Sequence, residues 1–121
     1  MGLSVAVFLF LGFKSYSTYT GKVFDGTLHR NENRMTEARQ AYEEALKLYR
    51  ELAQQNADIY LPYVAMTLNN LGALHGEENR MAEARTAYEE SLKIYRVFAK
   101  VAPAAYESHV REVQDNLDAL P

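Results

Sequence analysis

The chain repeats itself, and that narrows its fold more than any other feature. Asn33-Arg34-Met35 recurs as Asn79-Arg80-Met81, and at this offset of 46 residues 26–53 match residues 72–99 at 19 of 28 positions without a gap. The cores read ENRMTEARQAYEEALKLYR and ENRMAEARTAYEESLKIYR. Such identity marks a tandem duplication, and a period of about 20–50 residues is the signature of stacked repeats. A third, partial copy follows. Tyr60 maps to Tyr106, Val64 to Val110, Asn70 to Asn116, Leu71 to Leu117, Ala73 to Ala119 and Leu74 to Leu120.

Each unit reads as two helices. Over residues 34–55, Ala38, Ala41, Tyr42, Ala45, Leu48, Tyr49 and Leu52 recur at three- and four-residue spacings, one apolar face of a helix. Glu43 stands four residues before Lys47, and Glu89 before Lys93, the orientation that favours a surface pair. Asn33 and Asn79 stand where a helix N-cap or a left-handed turn residue is wanted, and Asn suits both. A second helix is predicted over roughly 58–76, with Pro62 in its first turn and Val64, Leu68, Leu71 and Leu74 inward. A last one covers about 104–119, opened by Pro103. Helix pairs repeated by translation make an all-α fold, an α-solenoid of antiparallel pairs.

Composition excludes much chemistry. The 121 residues hold no cysteine, which removes disulfides, zinc–thiolate sites and thiol nucleophiles. With 13 Lys+Arg against 16 Asp+Glu the formal charge is −3, without the basic excess of a general nucleic-acid binder. Residues 1–30 carry +2 and residues 31–121 carry −5. The recurring Tyr42, Tyr49, Tyr88 and Tyr95 lie on the apolar face, which is core placement and no base-stacking platform. His29 and His75 are one repeat apart at a packing position, and with His109 they make up the histidines, so no metal site is expected. Glu43-Glu44 and Glu89-Glu90 diverge as adjacent helix residues do, so neither pair converges for acid–base work. Arg34, Arg39, Arg80 and Arg85 read as surface charge. No Gly-rich phosphate loop and no nucleophile–base arrangement is present, so neither an enzyme nor a cofactor is expected.

The run Leu68, Leu71-Gly72, His75, Ala84 and Tyr88, echoed by Gly26, His29, Ala38 and Tyr42, resembles the tetratricopeptide repeat family. Small Gly72 and Ala84 would let paired helices approach, with Leu68, Leu71 and Tyr88 filling the space between. Histidine replaces the usual aromatic at 29 and 75, the closing Pro is absent near Arg50 and Arg96, and the period is 46 instead of about 34. The Leu-Asn-Asn-Leu-Gly of residues 68–72 is similar to the long-repeat, kinesin-light-chain-like branch.

The resemblance covers about residues 25–120 and implies a non-catalytic protein–protein interaction module, cytoplasmic, whose first helices line a concave groove. Met66, Asn69, Asn70, Ala73 and Glu77 would lie there in the second unit, and Glu112, Asp115, Asn116 and Ala119 in the third. In that branch the second Asn of the motif contacts the peptide, which points to Asn70 and its match Asn116. Independently of the family, a side-chain amide offers donor and acceptor together and so bonds a peptide backbone without demanding a particular side chain. The alternative for Asn69 and Asn70 is a bond to a neighbouring helix. Members that clamp a terminal carboxylate use Lys and Arg on this face. Here Thr20, Val23, Phe24 and Thr27 stand in the first unit, and Arg111 is the one basic residue, at the edge. A neutral, apolar or basic peptide is expected.

The domain reading is an atypical segment at 1–24, repeats over 25–102 and a capping helix at 103–121. Leu3 to Phe13 is apolar but for Ser4 and Gly12, too short to span a membrane as a helix. Residues 1–24 read as a substitute first helix, as a signal or membrane anchor, or as a short strand or disordered arm. Two alternative functions stay open. One is self-association through end helices or N-terminal exchange, because about three units are needed to cover the apolar faces. The other is a membrane-attached adaptor, or an exported protein, using residues 3–13.

Overall fold

The computed structural model describes the backbone of residues 28–121 and side chains from residue 33 onward. The readings of residues 1–24, the positions Thr20, Val23, Phe24 and Thr27, and the His29 side chain lie outside the described residues. Four helices follow in order: α1 (Leu28–Gln55), α2 (Ala57–Glu77), α3 (Met81–Val101) and α4 (Pro103–Asp118). No strand occurs among the described residues. The fold is all-α, with the antiparallel helix pairs of an α-solenoid. The chain divides into two compact units within α1, Met1–Ala45 and Leu46–Pro121.

In the first unit the described part is the N-terminal portion of α1. Met35, Ala38, Ala41, Tyr42 and Ala45 are half-buried along one side. The helix starts at Leu28 and not at Arg34, so Asn33 is an interior helical residue instead of a cap or turn. Its repeat partner Asn79 behaves as expected, with φ 64°. The same tetrapeptide, Glu-Asn-Arg-Met, therefore adopts two backbone conformations. Arg30, a good helix former, stands where the second copy has Gly76.

At Asn79 the chain turns back. The Arg80 N–H donates to the His75 carbonyl at 2.7 Å, and the Asn79 N–H to the Gly76 carbonyl at 3.1 Å. This crossed pair around a left-handed residue is a Schellman stop, and Asn tolerates that conformation better than most side chains. At the other junction Asn56 caps α2, its Oδ1 accepting from the Ile59 N–H at 3.4 Å. Pro62 is the sixth residue of α2, in its second turn and not in its first. The donor it lacks would have served the carbonyl of exposed Asp58, where water can substitute.

The second unit is built on close helix approach. A Cβ added at Gly72 would stand 2.6 Å from Tyr88 Cε1, so the ring lies directly on the bare backbone of α2. Around this contact Ala65, Ala84, Leu92, Tyr95 and Val113 form a buried cluster with Tyr88. Each fully buried large apolar side chain contributes about 1.5–3 kcal/mol. Ser91 is fully buried, and its hydroxyl donates to the Ala65 carbonyl at 2.7 Å. Leu48, counted on the apolar face of α1 from its spacing, is 40% exposed. Its angular position falls at the edge of the stripe, and Tyr49 beside it takes the inward place.

Charge pairing also differs from expectation. Neither Glu43–Lys47 nor Glu89–Lys93 closes within 4 Å; instead Arg50 holds Glu90 across 40 residues, with bonds of 2.7 and 3.1 Å. On α4, Glu107, Arg111, Gln114 and Asp118 occupy the positions of Leu61, Ala65, Leu68 and Gly72 on α2. The α2 set is buried or half-buried, whereas Glu107, Arg111 and Asp118 are exposed.

Two glycine substitutions should separate packing from propensity. Gly72→Ala forces Tyr88 to move and should lower stability by about 1–3 kcal/mol, less the gain in helix propensity of roughly 1 kcal/mol. Gly76→Ala meets only Leu120, at 4.0 Å, and should be neutral or stabilising. Urea unfolding of both variants at neutral pH checks the opposite signs.

Candidate functional site

The duplication makes α2 and α4 equivalent first helices, and the second unit sets them side by side. The Asn69 Nδ2 group donates to Glu112 Oε2 at 3.3 Å, and Asn116 Nδ2 donates to Asn69 Oδ1 at 3.0 Å. Both bonds cross between the helices. On α2 the residues Ile59, Tyr63, Met66, Asn70, Ala73 and Glu77 follow at four- and three-residue steps, a single stripe. All are exposed except Asn70, which is half-buried. Tyr63 and Met66 are each 40% exposed and Ile59 52%, a high share for large apolar groups on one stripe. The matching stripe on α4 is Ala105, His109, Glu112, Asn116 and Ala119.

The six groove positions expected from sequence fall on or beside these stripes with different environments. Met66 and Ala73 are exposed. Asn69 is half-buried and both ends of its amide are engaged by α4. Asn116 is half-buried and engaged through its Nδ2. Asn70 has no side-chain hydrogen bond among the described residues. Asp115 is exposed at the far lip of α4, also with no side-chain partner among them. Thus the two asparagines of one motif have split roles: Asn69 joins helices, and Asn70 keeps its donor and acceptor open.

Beneath the stripe lies an aromatic floor that spacing alone did not reveal. The Tyr95 ring stacks on His109 at 4.9 Å and 14°, and Tyr106 lies 6.2 Å from each of them. On the α2 side Tyr49 stacks on Tyr63 at 5.2 Å. Tyr63 and His109 are repeat equivalents, so each unit places a ring from a first helix on the tyrosine of the helix before it. The signal was present in the sequence as the pairs Tyr49/Tyr95 and Tyr63/His109, but the second pair changes residue type. His109 Nδ1 stands 4.0 Å from Glu112 Oε1.

Burial pushes the Tyr95 hydroxyl up to about 12, with the Glu112 carboxylate and Tyr106 adding to the shift. Tyr49 and Tyr88 are raised as well, chiefly by burial. Among the described residues no three metal-type side chains converge. Glu89 points to solvent while Glu90 is held by Arg50, so that carboxylate pair separates. The arrangement offers apolar contact, amides and acidic oxygens for binding. Among the described residues no helix is long and apolar enough to cross a membrane.

A folded-state tyrosine raised above its unfolded value of 10.0 keeps its proton where the unfolded chain has lost it. The contribution of Tyr95 is therefore intact below pH 10 and falls as pH climbs from 10 toward about 12. The loss should be on the order of 2 kcal/mol over that window. Denaturant unfolding at pH 9, 10 and 11 should show the decline, and Tyr95→Phe should lessen it, with Tyr49 and Tyr88 supplying what remains.

A family model described as tetratricopeptide repeat matches residues 26–96. No curated protein and no solved structure matches the chain.

Proposed function

The chain belongs to the tetratricopeptide repeat family, and from that premise we propose that it binds a peptide segment of a protein partner along the α2–α4 face and performs no chemistry. Repeats of this family generally mediate protein–protein interaction. The observation that carries the reading is the exposed stripe of Ile59, Tyr63 and Met66 beside the open amide of Asn70. Apolar burial supplies the affinity, and Asn70 bonds the peptide backbone. Ala73 leaves room for close approach, and Asn116 and Asp115 line the α4 side. Asn69 acts by holding α4 in register with α2. The 46-residue period and the Leu68-Asn69-Asn70-Leu71-Gly72 run support the long-repeat, kinesin-light-chain-like branch.

In this reading α4 is a cap. Its outer face carries Glu107, Arg111 and Asp118 where α2 buries Leu61, Ala65 and Gly72 against α3, and a polar face of this kind suits solvent better than another stacked helix. That weighs against self-association through α4.

Titration of a partner segment captured by the full chain tests the site. Asn70→Ala with Asn116→Ala should weaken binding by about 1–2 kcal/mol, the net worth of one or two hydrogen bonds. Affinity unchanged within about 0.5 kcal/mol removes the amides from the site. Asn70→Ala alone guards against a folding effect, since that amide has no bond to lose.

A further inference from the structure

The acidic excess of this chain is concentrated on its groove-side helices. Asp58, Glu77, Glu107, Glu112, Asp115 and Asp118 lie on α2 and α4 against a single Arg111. Between them in sequence, α3 carries Arg85, Lys93, Arg96 and Lys100 against three glutamates. Arg111 is exposed, stands one turn before Asp115 and makes no ion pair within 4 Å among the described residues. It matches Ala65, the residue whose carbonyl meets Ser91 on α3, and so belongs to the outer side of α4. Across the face itself the chemistry is graded. Ile59, Tyr63 and Met66 make the α2 side apolar, while Glu112 on the α4 stripe and Asp115 at its lip make the other side anionic. Asn69 binds one oxygen of Glu112, and the His109 ring stands near the other. Asp115 is exposed and has no side-chain partner within 4 Å among the described residues.

From this gradient we infer that the partner segment is a basic amphipathic peptide. Its apolar side chains cover Ile59, Tyr63 and Met66, and a Lys or Arg on its opposite edge meets Asp115 and Glu112. The inference rests on the groove reading above and adds the partner's chemistry to it. An acidic peptide would bring like charge to a face with no Lys or Arg on its stripes, and such juxtaposition opposes binding. Attraction of this exposed kind is screened by salt within about 8–10 Å.

Selection of random 12-residue peptides on the immobilised full chain, repeated on Asp115→Lys, reads the preference directly. Enrichment of Lys or Arg next to Leu, Ile or Phe is expected on the native chain, with the basic bias lost on Asp115→Lys. Selected peptides should bind Asp115→Asn with Glu112→Gln about fivefold more weakly, and should weaken on raising salt. Asp115→Asn alone protects the test, because that side chain supports no contact in the fold. Enriched peptides that are neutral or acidic, and that compete at Met66→Ala-sensitive positions, overturn the basic partner and leave the groove standing. Failure to enrich any peptide overturns both.

Discussion

The contact of the Tyr88 ring with the bare Cα of Gly72 governs the second unit. A ring at this separation from a helix backbone leaves no space for a side chain, so α2 and α3 are locked at one approach. That approach brings the Ser91 hydroxyl within 2.7 Å of the Ala65 carbonyl, a bond that would be costly to leave unmade in a fully buried place. It also fixes where Tyr95, two turns further along α3, emerges beneath α4. The Schellman stop at Asn79 serves the same end, since the chain must reverse in three residues for Tyr88 to reach Gly72.

Position is passed from core to face through rings and amides. Tyr95 carries His109 on its ring, and His109 belongs to the α4 stripe that continues through Glu112 and Asn116. Asn69 then ties that stripe to α2 with two bonds. An amide suits this role because it donates to a carboxylate and accepts from another amide at once. With its neighbour committed to holding the helices, Asn70 stands free of such duty, one residue and about 100° further round the helix.

Much of this was legible in the residues, and the failures have physical causes. The offset of 46 located all four helices, because apolar spacing within each copy and identity between copies point to the same elements. Gly72 is legible as a close-approach position and Tyr88 as a filler of the space between helices, but that the ring lies on that glycine is not. Asn33 departs from its copy Asn79 because identity between copies does not impose an identical backbone: one residue, Arg30 against Gly76, alters the local preference. Leu48 is exposed because a stripe has edges that residue type does not mark. The Arg50–Glu90 bridge and the ring stacks could not be read at all, since they depend on which turn of one helix meets which turn of another. The same is true of the split between Asn69 and Asn70. Adjacent identical residues carry no sequence mark of which one faces the neighbouring helix.

The third copy shows how a duplicated unit diverges when its surroundings change. Where α2 keeps Leu61, Ala65, Leu68 and Gly72 to receive α3, the matched positions of α4 have become Glu107, Arg111, Gln114 and Asp118. Water can solvate those groups, whereas an apolar stacked helix would have to desolvate them, so the replacements suit a solvent-facing surface. On the stripe and its lip the drift runs otherwise: Tyr63 has become His109 and still stacks on its tyrosine, Met66 has become Glu112 on the stripe, and Asn69 has become Asp115 beside it. Packing therefore preserved the ring and released the two neighbours. Both replacements are carboxylates, and Asn69 donates to one of them, Glu112. The two carboxylates leave the α4 side of the face acidic where the α2 side is apolar.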